Sequence, residues 1–234
     1  MPYRATDRTR RRAMQRRERL LAAAESIVAA DGFSTATVAA VAKAAGVSTG
    51  AVYTHFSSKA ELLAATFRRA ASRELTAVED AITAVSRYAP DRPDTARRLS
   101  VLVEVFTRRA LRGRQLAWSL LVEPVDPLVE AERLAFRTRY RDLVEGILRA
   151  GISGGEVPDQ DAALSAAAVV GAISEALVGP LSPIAAYPTA EDITESLRAI
   201  CLRAVGAGPP ADTASAARRP SGPEPRIAAE EGSR

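Results

Sequence analysis

The stretch that most limits what this chain can fold into is residues 37–63, TVAAVAKAAGVSTGAVYTHFSSKAELL. Val38, Val41, Ala42 and Ala45 recur at helical spacing and define the apolar face of a short helix. Gly46 follows, where a sharp turn needs a residue without a Cβ. Ser48 stands at the N-cap of the next helix, where its hydroxyl accepts a hydrogen bond from an orphan N–H. That helix, residues 48–55, is too short to persist alone and must pack through Ala51, Val52 and Phe56. Thr49, Gly50, Tyr53, Thr54 and His55 are left to face outward. Two short crossed helices with Ala42, Gly46 and Val52 at these offsets describe a helix-turn-helix. Ser58-Lys59-Ala60-Glu61 then reads as a capping box that opens a third helix, Ser58 capping the Glu61 N–H and Glu61 reaching back to Ser58.

The rest of the chain carries the same 3.6-residue period. The 234 residues are 47% hydrophobic, with alanine dominant and β-branched runs scarce, which favours helices over sheet. A first helix is expected over residues 11–30, with Leu20, Leu21, Ala24, Ile27 and Val28 on one face and Gly32 ending it. The helix opened by Ser58 runs toward Tyr88, where Pro90 and Pro93 force a break. Helical segments follow over 94–111, 113–122 and 127–150, the last capped by Asp126 with Pro127 at its first position. Residues 151–158 read as a glycine-rich loop, 159–178 as an apolar helix ended by Gly179-Pro180, and 189–205 as the last helix. The expected fold is all-α, with about nine helices. It divides into a basic, disordered arm over 1–10, a helix-turn-helix domain over 11–57, a helical regulatory and dimerisation domain over 58–206, and a disordered tail over 207–234.

Charge is unevenly spread. The net charge is +4, yet the first twenty residues hold eight arginines against Asp7 and Glu18, so the remainder of the chain is slightly acidic. A basic block beside a helix-turn-helix is the footprint expected for a phosphate backbone. One cysteine, Cys201, excludes an internal disulfide, and one histidine, His55, argues against a zinc site. No phosphate-cradling glycine loop and no Ser/His/Asp set is present, so an enzyme is not expected, nor a metal or cofactor. The N-terminal arginines suggest an export signal, but Glu25 and Ser26 interrupt the apolar stretch behind them. The longest apolar run, residues 164–178, is cut by Glu175, so no membrane span is expected and the location reads as cytoplasmic.

The head resembles the TetR family of bacterial transcriptional regulators. The matching residues are Gly32-Phe33, Thr37, Val41-Ala42, Ala45-Gly46-Val47-Ser48, Val52-Tyr53, His55-Phe56, Ser58-Lys59 and Leu62-Leu63. The resemblance covers roughly residues 11–68, and the body matches only in helix count and order. It implies a homodimer, joined through its last two helices, that binds a palindromic double-stranded operator and leaves it when a small ligand enters the body. Activation without an effector, or architectural DNA binding, is the alternative. Ser48, Thr49 and Gly50 begin the recognition helix, with Thr49 able to meet a base edge and Gly50 permitting close approach. Tyr53, His55 and Thr37 match positions where the family touches phosphate or groove. Lys59 opposes the macrodipole in a helix's first turn, a conflict that a DNA phosphate resolves. In the body, Phe106, Trp118 and Tyr140 are candidates for lining a pocket, and Arg109, Glu123, Arg137 and Glu175 for orienting a polar group. The expected effector is hydrophobic or amphipathic.

Overall fold

Side chains near the chain's turns decide where its helices begin. The computed structural model describes residues 7–87, 94–182 and 189–208, and every regular element among them is α-helical. In order they are α1 (Asp7–Asp31), α2 (Val38–Ala45), α3 (Thr49–Tyr53), α4 (Lys59–Arg87), α5 (Thr95–Arg112), α6 (Arg114–Leu121), α7 (Pro127–Ser153), α8 (Ala162–Leu181) and α9 (Ala190–Ala204). The Thr37 hydroxyl accepts from the Ala40 N–H at 3.1 Å and the Ser48 hydroxyl from the Ala51 N–H at 3.2 Å. Asp94, Asp126, Asp161 and Thr189 cap α5, α7, α8 and α9 in the same way. Gly46 takes the left-handed conformation, φ 66°, and its neighbour Val47 donates to the Ala42 carbonyl at 3.0 Å. This αL cap closes α2 and starts the turn into α3.

Four expectations need correction. α1 starts at Asp7, so residues 7–10 are helical and not part of a disordered arm. No glycine or proline lies between Pro2 and Gly32, and arginine, methionine, glutamine and glutamate are good helix formers. α7 runs through Gly151 to Ser153, beyond the expected stop at 150. α8 continues past Gly179 and Pro180, because Pro180 and Leu181 are both buried and hold the final turn in place. α8 is also long and apolar enough to cross a membrane by length and composition, despite Glu175. In the fold, Ala166, Val169, Ile173 and Leu177 of that helix turn inward to the core at 0–3% exposure. Residues 1–6 of the arm, the break at Pro90 and Pro93, and the tail from residue 209 lie outside the described residues.

α4 organises the packing. Its 29 residues span roughly 43 Å at 1.5 Å per residue. Leu62 sits in a head cluster with Leu20, Val41, Val52 and Phe56. Phe67 and Leu75 sit in a middle cluster with Phe33, Leu120 and Phe136. Val78 and Ile82 join the largest cluster, with Leu102, Ile147, Ile173 and Leu197. One helix therefore crosses from head to body without leaving an apolar environment.

α7 ends against the start of α5. A Cβ built on Gly151 would lie 3.0 Å from Thr95 Cβ and closer still to its hydroxyl. Glycine in a helix ordinarily costs about 1 kcal/mol relative to alanine. Here Gly151→Ala is expected to destabilise by about 1–3 kcal/mol through overpacking, reversing the usual sign. A denaturant melt with an unchanged or raised midpoint would refute the close approach.

Candidate nucleic-acid interface and internal cavity

In the head, Thr37, Ser48, Thr49, Gly50, Tyr53 and Lys59 are exposed, and Tyr53 leaves 54% of its surface open. Each capping hydroxyl of Thr37 and Ser48 uses a lone pair on a backbone N–H and keeps its own proton to donate. A Cβ on Gly50 would meet only Ser48 Oγ, at 3.9 Å, so packing within the chain does not require glycine there. α3 is held from beneath by Val52, which is 1% exposed.

The basic face of α1 lies beside this motif. The Arg17 guanidinium sits 4.9 Å from the centre of the Phe56 ring. His55 is half-buried, and partial desolvation together with Arg16 and Arg17 lowers its pKa, favouring the neutral imidazole. It offers a hydrogen bond at neutral pH in place of a full charge.

The capping box at the start of α4 is shifted by one residue. Ser58 Oγ accepts from the Glu61 N–H at 3.1 Å, as expected. The Glu61 carboxylate reaches Ser57 instead of Ser58, accepting from its N–H and its hydroxyl at 2.6 Å each. Those two bonds hold the carboxyl below the usual glutamate range. A carboxyl with a depressed folded pKa contributes above its unfolded pKa and loses that contribution as pH falls through the folded value. The cap is therefore expected to persist through pH 5–8, and a side-chain NMR titration should give Glu61 a lower pKa in the folded chain than in urea.

The body encloses a cavity of about 130 Å³ between α4, α5, α6, α7 and α8. Its walls are mainly apolar, with Phe67, Leu102, Phe106, Leu116, Leu120, Phe136, Tyr140 and Ile173 among them. Phe106 and Tyr140 meet edge to face at 5.3 Å between ring centres. Two charges in the wall are matched: Arg109 donates to Glu74 twice, at 2.5 and 2.9 Å. The Tyr140 hydroxyl is buried with no hydrogen-bond partner in the protein, and burial raises its pKa so that it stays protonated.

Of the seven candidate ligand residues, Phe106, Arg109, Arg137 and Tyr140 line this cavity. Trp118 instead packs against the body core. Glu175 is exposed on α8. Glu123 serves a different purpose: its carboxylate accepts from the Phe33 and Ser34 N–H groups at 3.0 and 3.1 Å, tying the turn after α1 to the loop after α6. Gly32 precedes them at φ 86°, and a Cβ there would come within 2.8 Å of Glu123 Oε2. The backbone carbonyl of Glu123 accepts from Arg133 at 2.7 Å, and the same guanidinium holds the Leu120 carbonyl at 2.9 Å. Arg133 is 8% exposed and lines the cavity. A continuous set of bonds thus leads from the cavity wall to the head. Sequence reading missed Glu74, Phe67, Phe136 and Arg133. The two phenylalanines read only as periodic core, and the partners of Glu74 and Arg133 lie on other helices.

A helix-turn-helix with an exposed reading end, carried on an all-helical body, defines a DNA-binding transcriptional regulator. The family model for bacterial regulatory proteins of the tetR family matches residues 20–66, which covers both helices of the motif and the start of α4. The chain belongs to the TetR family, whose members are regulators and not enzymes. It is 28% identical over 154 residues to the HTH-type transcriptional regulator SrpR of Pseudomonas putida, covering 64% of this chain and 68% of that protein. It shares its fold with FadR of Bacillus subtilis, solved in complex with stearoyl-CoA, at TM-score 0.67 and 19% identity over 80% of this chain and 98% of that one. It also shares its fold with RolR, solved with resorcinol, at TM-score 0.63 and 21% identity over 92% and 98% of the two chains.

Proposed function

We propose that the chain is a cytoplasmic, homodimeric repressor that holds a palindromic operator and releases it when a small molecule occupies the body cavity. The observation that carries this reading is the pairing of an exposed helix-turn-helix with a largely apolar cavity, bridged by Arg133 and Glu123. Relatives in fold that bind stearoyl-CoA and resorcinol support an effector-responsive body. Activation without an effector, or architectural binding, gives that cavity no role.

Ser48, Thr49 and Gly50 approach base edges in the major groove, and Gly50 lets the backbone come close. Thr37, Tyr53 and His55 bind phosphate or line the groove. Lys59 sits in the first turn of α4 and shares a phosphate with that helix's N-terminal N–H groups. With no arginine on the reading helix, much of the affinity comes from phosphate contacts and dimer geometry. The arginines of α1 add to the phosphate footprint.

Dimerisation uses α8 and α9. Leu164 (69% exposed) on α8 and Ile200 (46% exposed) on α9 are large apolar side chains left open in the single chain. Ala168 and Gly171 near them are small and exposed, allowing a partner helix to approach closely. The dimer sets the two reading helices about one DNA turn, roughly 34–36 Å, apart.

Selection of bound fragments from the parent genome, followed by a salt titration on selected and random DNA, tests the proposal. A repressor of this kind shows strong preference for selected fragments; equal affinity for both would favour the architectural alternative. Lys59→Ala is expected to weaken binding to all sequences alike and to lower the salt slope by about one for each phosphate that the lysine neutralises. Unchanged affinity would remove Lys59 from the interface.

A further inference from the structure

We infer that the body cavity selects a single-ring aromatic molecule bearing one uncharged hydrogen-bonding oxygen, a phenol by class, and that the Tyr140 hydroxyl is the group that meets that oxygen. The inference rests on the reading of the cavity as an effector site and names the chemistry that site accepts.

Size comes first. An apolar cavity of about 150 Å³ takes up benzene. The cavity here measures about 130 Å³, so it holds one ring and little more. A long acyl chain carries roughly three times as many carbons as benzene and does not fit that volume.

Wall chemistry points to an aromatic guest. Four of the chain's eleven aromatic side chains, Phe67, Phe106, Phe136 and Tyr140, converge on this one cavity. Phe106 and Tyr140 already stand edge to face, an arrangement that a third ring can extend.

Charge and hydrogen bonding supply the remaining specification. Glu74 and Arg109 satisfy each other through two hydrogen bonds. Arg133 is committed to backbone carbonyls of α6 and the following loop and to Glu130. Arg137 is exposed, so water screens its charge. A carboxylate taken inside would lose hydration and face Glu74 with no free cation enclosed beside it. The polar atom left over is the Tyr140 hydroxyl, buried and without a protein partner. An unmet buried hydroxyl is costly, and a guest oxygen at that point removes the cost.

Titration calorimetry on the full chain, with phenol, toluene, benzoate and hexadecanoate as probes, tests this directly. Phenol should bind at least tenfold more tightly than toluene, which has the same shape without the hydroxyl. Tyr140→Phe should weaken phenol about tenfold, the loss of roughly one hydrogen bond, and leave toluene unchanged. The comparison of phenol with toluene on the unaltered chain needs no variant and stands even if Tyr140→Phe folds poorly. Equal binding of phenol and toluene, or tighter binding of benzoate or hexadecanoate than of phenol, overturns the inference. So does the absence of heat with both aromatic neutral probes. Operator binding measured in parallel separates the two readings. If hexadecanoate releases the operator, the regulator reading stands and the phenol class falls. If phenol binds at Tyr140 without releasing the operator, the phenol class stands and the effector role falls.

Discussion

Truncating Phe67 to alanine is expected to destabilise the chain by about 3–5 kcal/mol. Phe67 is 2% exposed and lies where head, body and cavity meet. Its ring stacks on Phe33 at 6.2 Å and stands edge-on to Phe136 at 6.1 Å. Removing it takes away apolar burial and both ring pairings, and it leaves a hole that these two rigid partners cannot fill. For a chain of this length each kcal/mol lowers the melting temperature by about 2–4 °C, so a fall on the order of 10 °C is expected. Chemical denaturation should show a lower midpoint with little change in slope. A loss below about 1 kcal/mol would mean that the middle cluster is loosely packed and that α4 does not couple head to body as tightly as the rings suggest.

Glu123→Gln is expected to loosen the head without unfolding it. The carboxylate accepts from two backbone N–H groups, Phe33 and Ser34, and glutamine keeps one acceptor oxygen and places an amide donor against the other. Hydrogen bonds to a charged group contribute about 1.5–3 kcal/mol when buried, and partial exposure reduces this to about 1 kcal/mol here. Amide exchange at Phe33 and Ser34 should accelerate roughly fivefold to tenfold, with the body helices unaffected. Because Arg133 holds the carbonyl of the same residue from the cavity wall, the variant should also respond more weakly to whatever occupies the cavity. Unchanged exchange at both amides would show that the turn is held by Phe33 packing alone. Unchanged effector response with faster exchange would mean that the bonds from cavity to head are structural and carry no coupling.

These two residues mark how far sequence reasoning reached. Phe67 was legible as core from its period on α4, but its place in the cavity wall was not. Glu123 was legible as a polar residue in the body, and its expected role was wrong. Its partners lie about ninety positions earlier in the chain, at a turn whose own sequence shows only Gly32 and Phe33. Likewise Phe106, Arg109, Arg137 and Tyr140 reach the cavity while Trp118 and Glu175 do not, although all six sit on periodic helices of similar composition.

The division has a physical cause. Helix existence, caps and the helix-turn-helix are written in local chemistry: a hydroxyl three residues ahead of an orphan N–H, a glycine where φ must be positive, an apolar residue every third or fourth place. The sequence alone therefore determined the all-α fold, the motif and the family, and it located the surface offered to DNA. How the helices rotate against one another depends on packing between residues far apart in the chain. Only the tertiary structure decided that Glu74 pairs with Arg109, that Tyr140 keeps an unmet hydroxyl beside a one-ring cavity, and that Glu123 faces the head.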